Sequence, residues 1–193
     1  MVLNLILIKK HYLNIANILL YIMSTTTHIL ILVDVSYSML NHIHNFSIAL
    51  NNFLNKLKKD RQYYRITIGQ FNTNLSFITV FAELDMLGEY NIGHFNINGT
   101  TSLYDAVYDT IKYVSNNNIM KDMETKMFII SDGEDNASFK RTKTDADKIM
   151  KDVINKYNWQ IIHCHTDLNV FNTIQTVNYD INDICNIFVK LQV

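Results

Sequence analysis

From His28 onward, short apolar runs alternate with longer stretches that are apolar on one side only. That alternation is the pattern of βα units wound around a mostly parallel sheet. The short runs predict strands at 28–34 (HILILVD), 64–71 (YRITIGQF), 75–81 (LSFITVF), 126–131 (KMFIIS), 159–165 (WQIIHCH) and 185–191 (CNIFVKL). Between them, 43–57 places Ile43, Phe46, Ala49 or Leu50, Phe53, Leu54 and Leu57 on one helical face. Further helices are expected at 102–116, 142–157 and 170–177. Only residues 72–74 separate the second and third strands, room for a hairpin but not for a crossover helix, so one edge strand is antiparallel. The expected fold is therefore α/β: a doubly wound, Rossmann-like, six-stranded, mostly parallel sheet with one antiparallel edge strand and helices on both faces.

Residues 1–22 break this pattern. MVLNLILI is followed by KKHY and then by an apolar run from Ile15 to Met23. That run falls short of the roughly 20 residues that cross a bilayer, Asn17 interrupts it, and no small-residue cleavage site follows. The expectation is an N-terminal extension at 1–22 and a domain at 23–193 with its true start at Met23. Any membrane contact would come through the extension alone.

The 193 residues are 48% hydrophobic and 18% charged, which excludes a disordered chain and supplies one packed domain. A formal charge of −1 removes the electrostatic footprint that nucleic acid or an anionic membrane requires. The basic and aromatic stretch 56–65 (KLKKDRQYYR) reads as a solvated connection between a helix and a strand. Two cysteines, Cys164 and Cys185, form no disulfide framework and no CxxC spacing, so a reducing, cytoplasmic setting is expected. Proline is absent and Ile, Asn, Lys and Tyr abound, the codon skew of an AT-rich genome such as that of a large DNA virus or an AT-rich microbe.

The candidate chemistry lies at the strand ends. Asp34, Ser36 and Ser38 stand at alternate positions where the first strand finishes, a carboxylate and two hydroxyls able to turn toward one point. Asp132 follows the fourth strand in IISDGEDNAS, and Thr101 precedes a helix in NGTTSLYDAV. Hard cations such as Mg²⁺ take oxygen ligands, usually one or two carboxylates with several waters. In an open α/β sheet, ligands bind beyond the carboxyl ends of the strands where the strand order reverses.

With these motifs in this order, the sequence from about Thr27 onward resembles a von Willebrand factor type A domain with a metal-ion-dependent adhesion site. The resemblance implies that Asp34, Ser36, Ser38, Thr101 and Asp132 hold one divalent cation, Mg²⁺ or Mn²⁺ ahead of Ca²⁺. It further implies that a protein partner with an exposed Asp or Glu completes the coordination. Thr100 is the alternative to Thr101, because the family's paired glycines are here Gly99 and Thr100. Tyr37 stands where the family usually has Gly and is expected to cover part of the site. SDGEDNAS with the later Trp159–Ile162 segment is similar to an intracellular microbial and viral branch of the family. Glu134 and Asp135 add negative charge near the site; they read as solvated loop acids, with groups that support the ion's ligands from behind as the alternative.

Other constellations are weaker. His163 and His165 share one face of the fifth strand while Cys164 faces the other, so strand alternation argues against a zinc site. His42 and His44 point to different sides of a helix start, and Cys185 reads as a core thiol. No GxSxG, P-loop or dinucleotide fingerprint is present. An aspartyl-nucleophile phosphatase would need a carboxylate where Ser36 stands. The expected role is recognition and not catalysis. The alternatives are a metal-dependent hydrolase or transferase at the same ion, and a structural subunit of a larger assembly.

Overall fold

A computed structural model of the chain describes residues 26–59, 62–117, 123–133, 135–165 and 176–178. The extension at 1–22, Glu134, Cys185 and the strand expected at 185–191 lie outside the described residues. The elements are β1 (Thr26–Asp34), α1 (Ile43–Leu57), β2 (Tyr63–Phe71), β3 (Leu75–Glu83), α2 (Leu103–Ser115), β4 (Glu124–Ile130), α3 (Lys143–Tyr157), β5 (Gln160–His165) and β6 (Thr176–Asn178).

The sheet order is β3-β2-β1-β4-β5-β6. All neighbours pair in parallel except β2 and β3, which are antiparallel, as the three-residue connection required. The fold is thus α/β with a mostly parallel sheet and one antiparallel strand. One correction concerns β6. Thr176–Asn178 pair with His163–His165, where the apolar spacing predicted the end of a helix. Thr176 and Val177 are β-branched, which favours extended backbone, and the strand gives their peptide groups partners on β5.

Every residue of β1 is buried, and its alternation divides the core. Ile29, Ile31 and Val33 join a cluster with Phe46, Leu50, Phe53 and Leu57 of α1. Leu30 and Leu32 join another with Leu103, Val107 and Ile111 of α2 and Met150 and Val153 of α3. Strand side chains alternate by face, so a continuous apolar run is what a strand covered on both sides needs. Each fully buried Leu or Ile contributes roughly 1.5–3 kcal/mol. Among the described residues, no helix is long and apolar enough to cross a membrane.

This topology decides where a site can form. From β1 the chain moves outward to β2 and β3, then returns to β4 on β1's other side. The carboxyl ends of β1 and β4 therefore open a crevice at the reversal of strand order. Asp34 ends β1, and Ser131 and Asp132 directly follow β4.

Candidate metal centre

Asp34 is fully buried at the floor of this crevice. Its Oδ1 accepts the Ser36 N–H at 2.8 Å, and its Oδ2 accepts the Ser131 hydroxyl at 2.8 Å. The first bond folds the chain back after β1, so that Ser36 and Ser38 project on the same side. Their hydroxyls lie 3.0 Å apart, and Ser38 donates to Asp132 Oδ1 at 2.7 Å. Burial pushes the Asp34 carboxyl above its ordinary value, and the nearby Asp132 charge adds to this. Hydrogen bonds from Ser36 and Ser131 act in the opposite sense.

Thr101 is buried, and its hydroxyl faces the same space. A methyl group on Gly133 would stand 3.7 Å from Thr101 Oγ1 and 3.8 Å from Ser38 Oγ. Thr100 is exposed instead, with its hydroxyl 3.4 Å from Thr73 Oγ1. Of the two threonines left open by the sequence, Thr101 is the one brought beside Ser38 and Gly133. All five expected site residues thus converge on one crevice. Neither Asp34 nor Asp132 occupies the N-cap position of a helix among the described residues; those positions of α1, α2 and α3 are His42, Ser102 and Thr142.

The loops are set by backbone bonds. Val35 N–H donates to Phe71 O at 2.7 Å, Asn98 N–H to Val35 O at 3.0 Å, and Tyr37 N–H to Gly99 O at 3.2 Å. Gly99 has φ +71°, and a Cβ there would stand 2.7 Å from Thr73 Oγ1, so this turn requires glycine. Tyr37 is not among the positive-φ residues and leaves 67% of its surface exposed. A side chain at this position therefore brings no backbone strain.

Sequence reasoning missed the residues that join Thr101 to the segment after β4. Asn136 Oδ1 accepts the Thr101 N–H at 2.9 Å, while Thr101 O accepts the N–H groups of Asn136 and Ala137 at 3.0 and 3.1 Å. Asp135 is a correction: it accepts from Tyr104 N–H and the Ser138 hydroxyl, and so caps α2 instead of lying free in solvent. The first N–H groups of a helix lack partners within it, which makes them natural targets for a neighbouring loop's polar side chains. The SDGEDNAS stretch is rich in such side chains, the signal that was available. Ser131 was legible only as the residue beside Asp132.

Away from the crevice, His163 and Cys164 are both buried, and nothing is described of the His165 side chain. Among the described residues, no group of three His, Cys, Asp or Glu side chains is placed to hold a metal ion. The crevice is of a different kind, two carboxylates with three hydroxyls. Such an all-oxygen set fits a hard cation and not zinc.

No family model matches the chain, and no curated protein matches it. Solved structures do share its fold. Proximal thread matrix protein 1 from the mussel byssus is 12% identical over 88% of this chain and 46% of its own, with a TM-score of 0.59. The ArnB paralog VWA2 from Sulfolobus acidocaldarius is 15% identical over 88% and 46%, TM-score 0.59. A von Willebrand factor type A protein from Catenulispora acidiphila is 12% identical over 87% and 42%, TM-score 0.59. The chain therefore has a von Willebrand factor type A-like fold. It spans less than half the length of these structures.

Proposed function

We propose that this chain recognises a protein partner through one divalent cation, Mg²⁺ or Mn²⁺, held by Asp34, Ser36, Ser38, Thr101 and Asp132. The observation that carries this reading is the chain of oxygens Ser36 Oγ, Ser38 Oγ and Asp132 Oδ1, spaced 3.0 and 2.7 Å apart at the switch point. Mg²⁺ binds oxygens at about 2.0–2.1 Å in an octahedron, which puts neighbouring ligands about 3 Å apart.

Asp34 and Asp132 bring the formal charge, and the three hydroxyls bring neutral oxygens. A cation so held keeps positions for water, and an exposed Asp or Glu of the partner gains charge-assisted coordination by replacing one. Asp34 is buried and Ser38 exposed, which orients the open side of the set toward solvent. The role is recognition and not turnover. The same proposal takes in the doubly wound, six-stranded form of the fold with helices over both faces. It also takes in the likeness to the intracellular microbial and viral branch, and with it a cytoplasmic setting.

The test is affinity capture with the full chain as bait in Mg²⁺, in EDTA, and in EDTA followed by excess Mg²⁺. A partner held in Mg²⁺, released by EDTA, restored by Mg²⁺ and lost with Asp132→Ala supports the reading. Capture indifferent to EDTA and to Asp132→Ala overturns it.

A further inference from the structure

Asp105 sits in the first turn of α2, at the position from which an acid commonly reaches back to the start of its own helix. Here the N–H of Ser102, the helix cap, is already taken by Asn72 O at 2.9 Å. The Asp105 carboxylate turns outward instead and accepts three consecutive backbone N–H groups of the segment after β4. These are Phe139 at 3.1 Å, Lys140 at 3.1 and 3.3 Å, and Arg141 at 2.7 Å. A run of N–H groups converging on one carboxylate is an anion nest, and bonds to an ionised acceptor are roughly twice as strong as neutral ones.

The grip is reciprocal. Ser138 Oγ accepts the Asp105 N–H at 3.0 Å, so the loop holds the helix while the helix holds the loop. Asp105 is almost fully buried, which shields the bonds from water. The segment it holds is separated only by Ser138 from Asn136 and Ala137, which clamp Thr101 through its N–H and its C=O. Asp105 is not one of the oxygens around the crevice. Its described partners are in the loop beyond the Thr101 clamp, Ser138 to Arg141.

We infer that Asp105 is a positioning residue for the cation site, fixing the Thr101 hydroxyl relative to Asp132 by anchoring the loop that joins them. The inference rests on the metal-binding reading proposed above. With Asp105 ionised, three N–H groups are satisfied at once and the loop from Asp135 to Arg141 has one position. With an amide in its place, one of the two oxygens becomes a donor facing donors, and the loop loosens together with its hold on Thr101. Substitutions that only support a metal's ligands lower affinity by roughly 10–100-fold.

The experiment is calorimetric titration of Mg²⁺ and Mn²⁺ into wild type, Asp105→Asn, Thr101→Ala, the double variant, and Asp109→Asn, a control one turn along the same helix. Amide hydrogen exchange without added metal is followed in parallel. Asp105→Asn is expected to weaken both ions about tenfold, to speed exchange at Thr101, Asn136 and Ala137, and to have little further effect once Thr101 is alanine. Asp109→Asn is expected to bind as wild type does. A general loss of stability would instead leave the two effects additive. Wild-type affinity in Asp105→Asn, or additive losses in the double variant, overturns the positioning role and leaves the metal reading standing. A wild type that takes up neither ion overturns the metal reading, and the positioning role with it.

Discussion

Ser38 donates its hydroxyl to the Asp132 carboxylate over 2.7 Å, a bond between residues 94 positions apart in the chain. It crosses the crevice between the carboxyl ends of β1 and β4. It also leaves Asp132 facing a second acid, Asp34, whose carboxyl is raised by its own burial and further by Asp132. An oxygen-rich crevice in which one acid is buried and the other lies near it carries a repulsion that a bound cation would relieve.

Asp34→Asn and Asp34→Ala are expected to separate charge from support. Asparagine can still accept the Ser36 N–H and bond Ser131, so the apo melting temperature stays near that of wild type while affinity for Mg²⁺ falls at least about tenfold. Alanine deletes both bonds at a fully buried position, and stranding buried polar groups costs about 1–3 kcal/mol. That penalty outweighs the relief of repulsion, so Asp34→Ala melts lower than wild type without metal. Thermal melts beside calorimetry check both; equal Mg²⁺ affinity in wild type and Asp34→Asn would remove Asp34 from the site.

Thr101→Ala is expected to weaken Mg²⁺ less than Asp34→Asn does, because water can replace a neutral hydroxyl on this ion. Thr100→Ala should leave affinity unchanged, since its hydroxyl lies against Thr73. A reversed order in the titrations would give the ligand role to Thr100.

Two glycine substitutions are expected to differ sharply. Gly99→Ala forces a side chain into φ +71° and toward Thr73 Oγ1, a strain of about 1–3 kcal/mol that lowers the melting temperature. Gly133→Ala meets Thr101 and Ser38 at ordinary contact distances, so it melts as wild type does. Its methyl group nevertheless narrows the crevice, and weaker Mn²⁺ binding in calorimetry is the expected result. A Gly133→Ala protein that binds as wild type would place the ion away from Thr101 and Ser38.

Acid is expected to unfold the protein partly through His28. Its ring is buried beside Phe81, with Nε2 2.8 Å from Thr67 Oγ1, and burial lowers its pKa from 6.5 to about 4. The folded state favours the neutral ring, so this stability is present above pH 6.5 and is lost as pH falls from there to about 4. The difference corresponds to roughly 3 kcal/mol. Denaturant melts across this range, compared with His28→Gln, read it out; an equal slope in the variant would assign the acid sensitivity elsewhere.

Most of the fold was legible because its signals are local. The uniformly apolar ILILV of β1, Ile29–Val33, shows a strand covered on both faces, the 3.6-residue spacing from Ile43 to Leu57 shows one buried helical face, and three residues between β2 and β3 compel an antiparallel pair. Asp34, Ser36, Ser38 and Asp132 were legible for a related reason. A motif at a strand's end is carried to the sheet's carboxyl edge wherever that strand goes. What local pattern does not contain is which backbone groups are left without partners, since that depends on what packs beside them. Only the tertiary structure decided that Thr101 and not Thr100 turns inward, that Asp135 caps α2, that Asp105 holds Phe139–Arg141, and that Thr176–Asn178 pair with β5. Each of these satisfies N–H groups on a segment distant in sequence, so each was determined by where the chain had already been placed and not by the residues on either side.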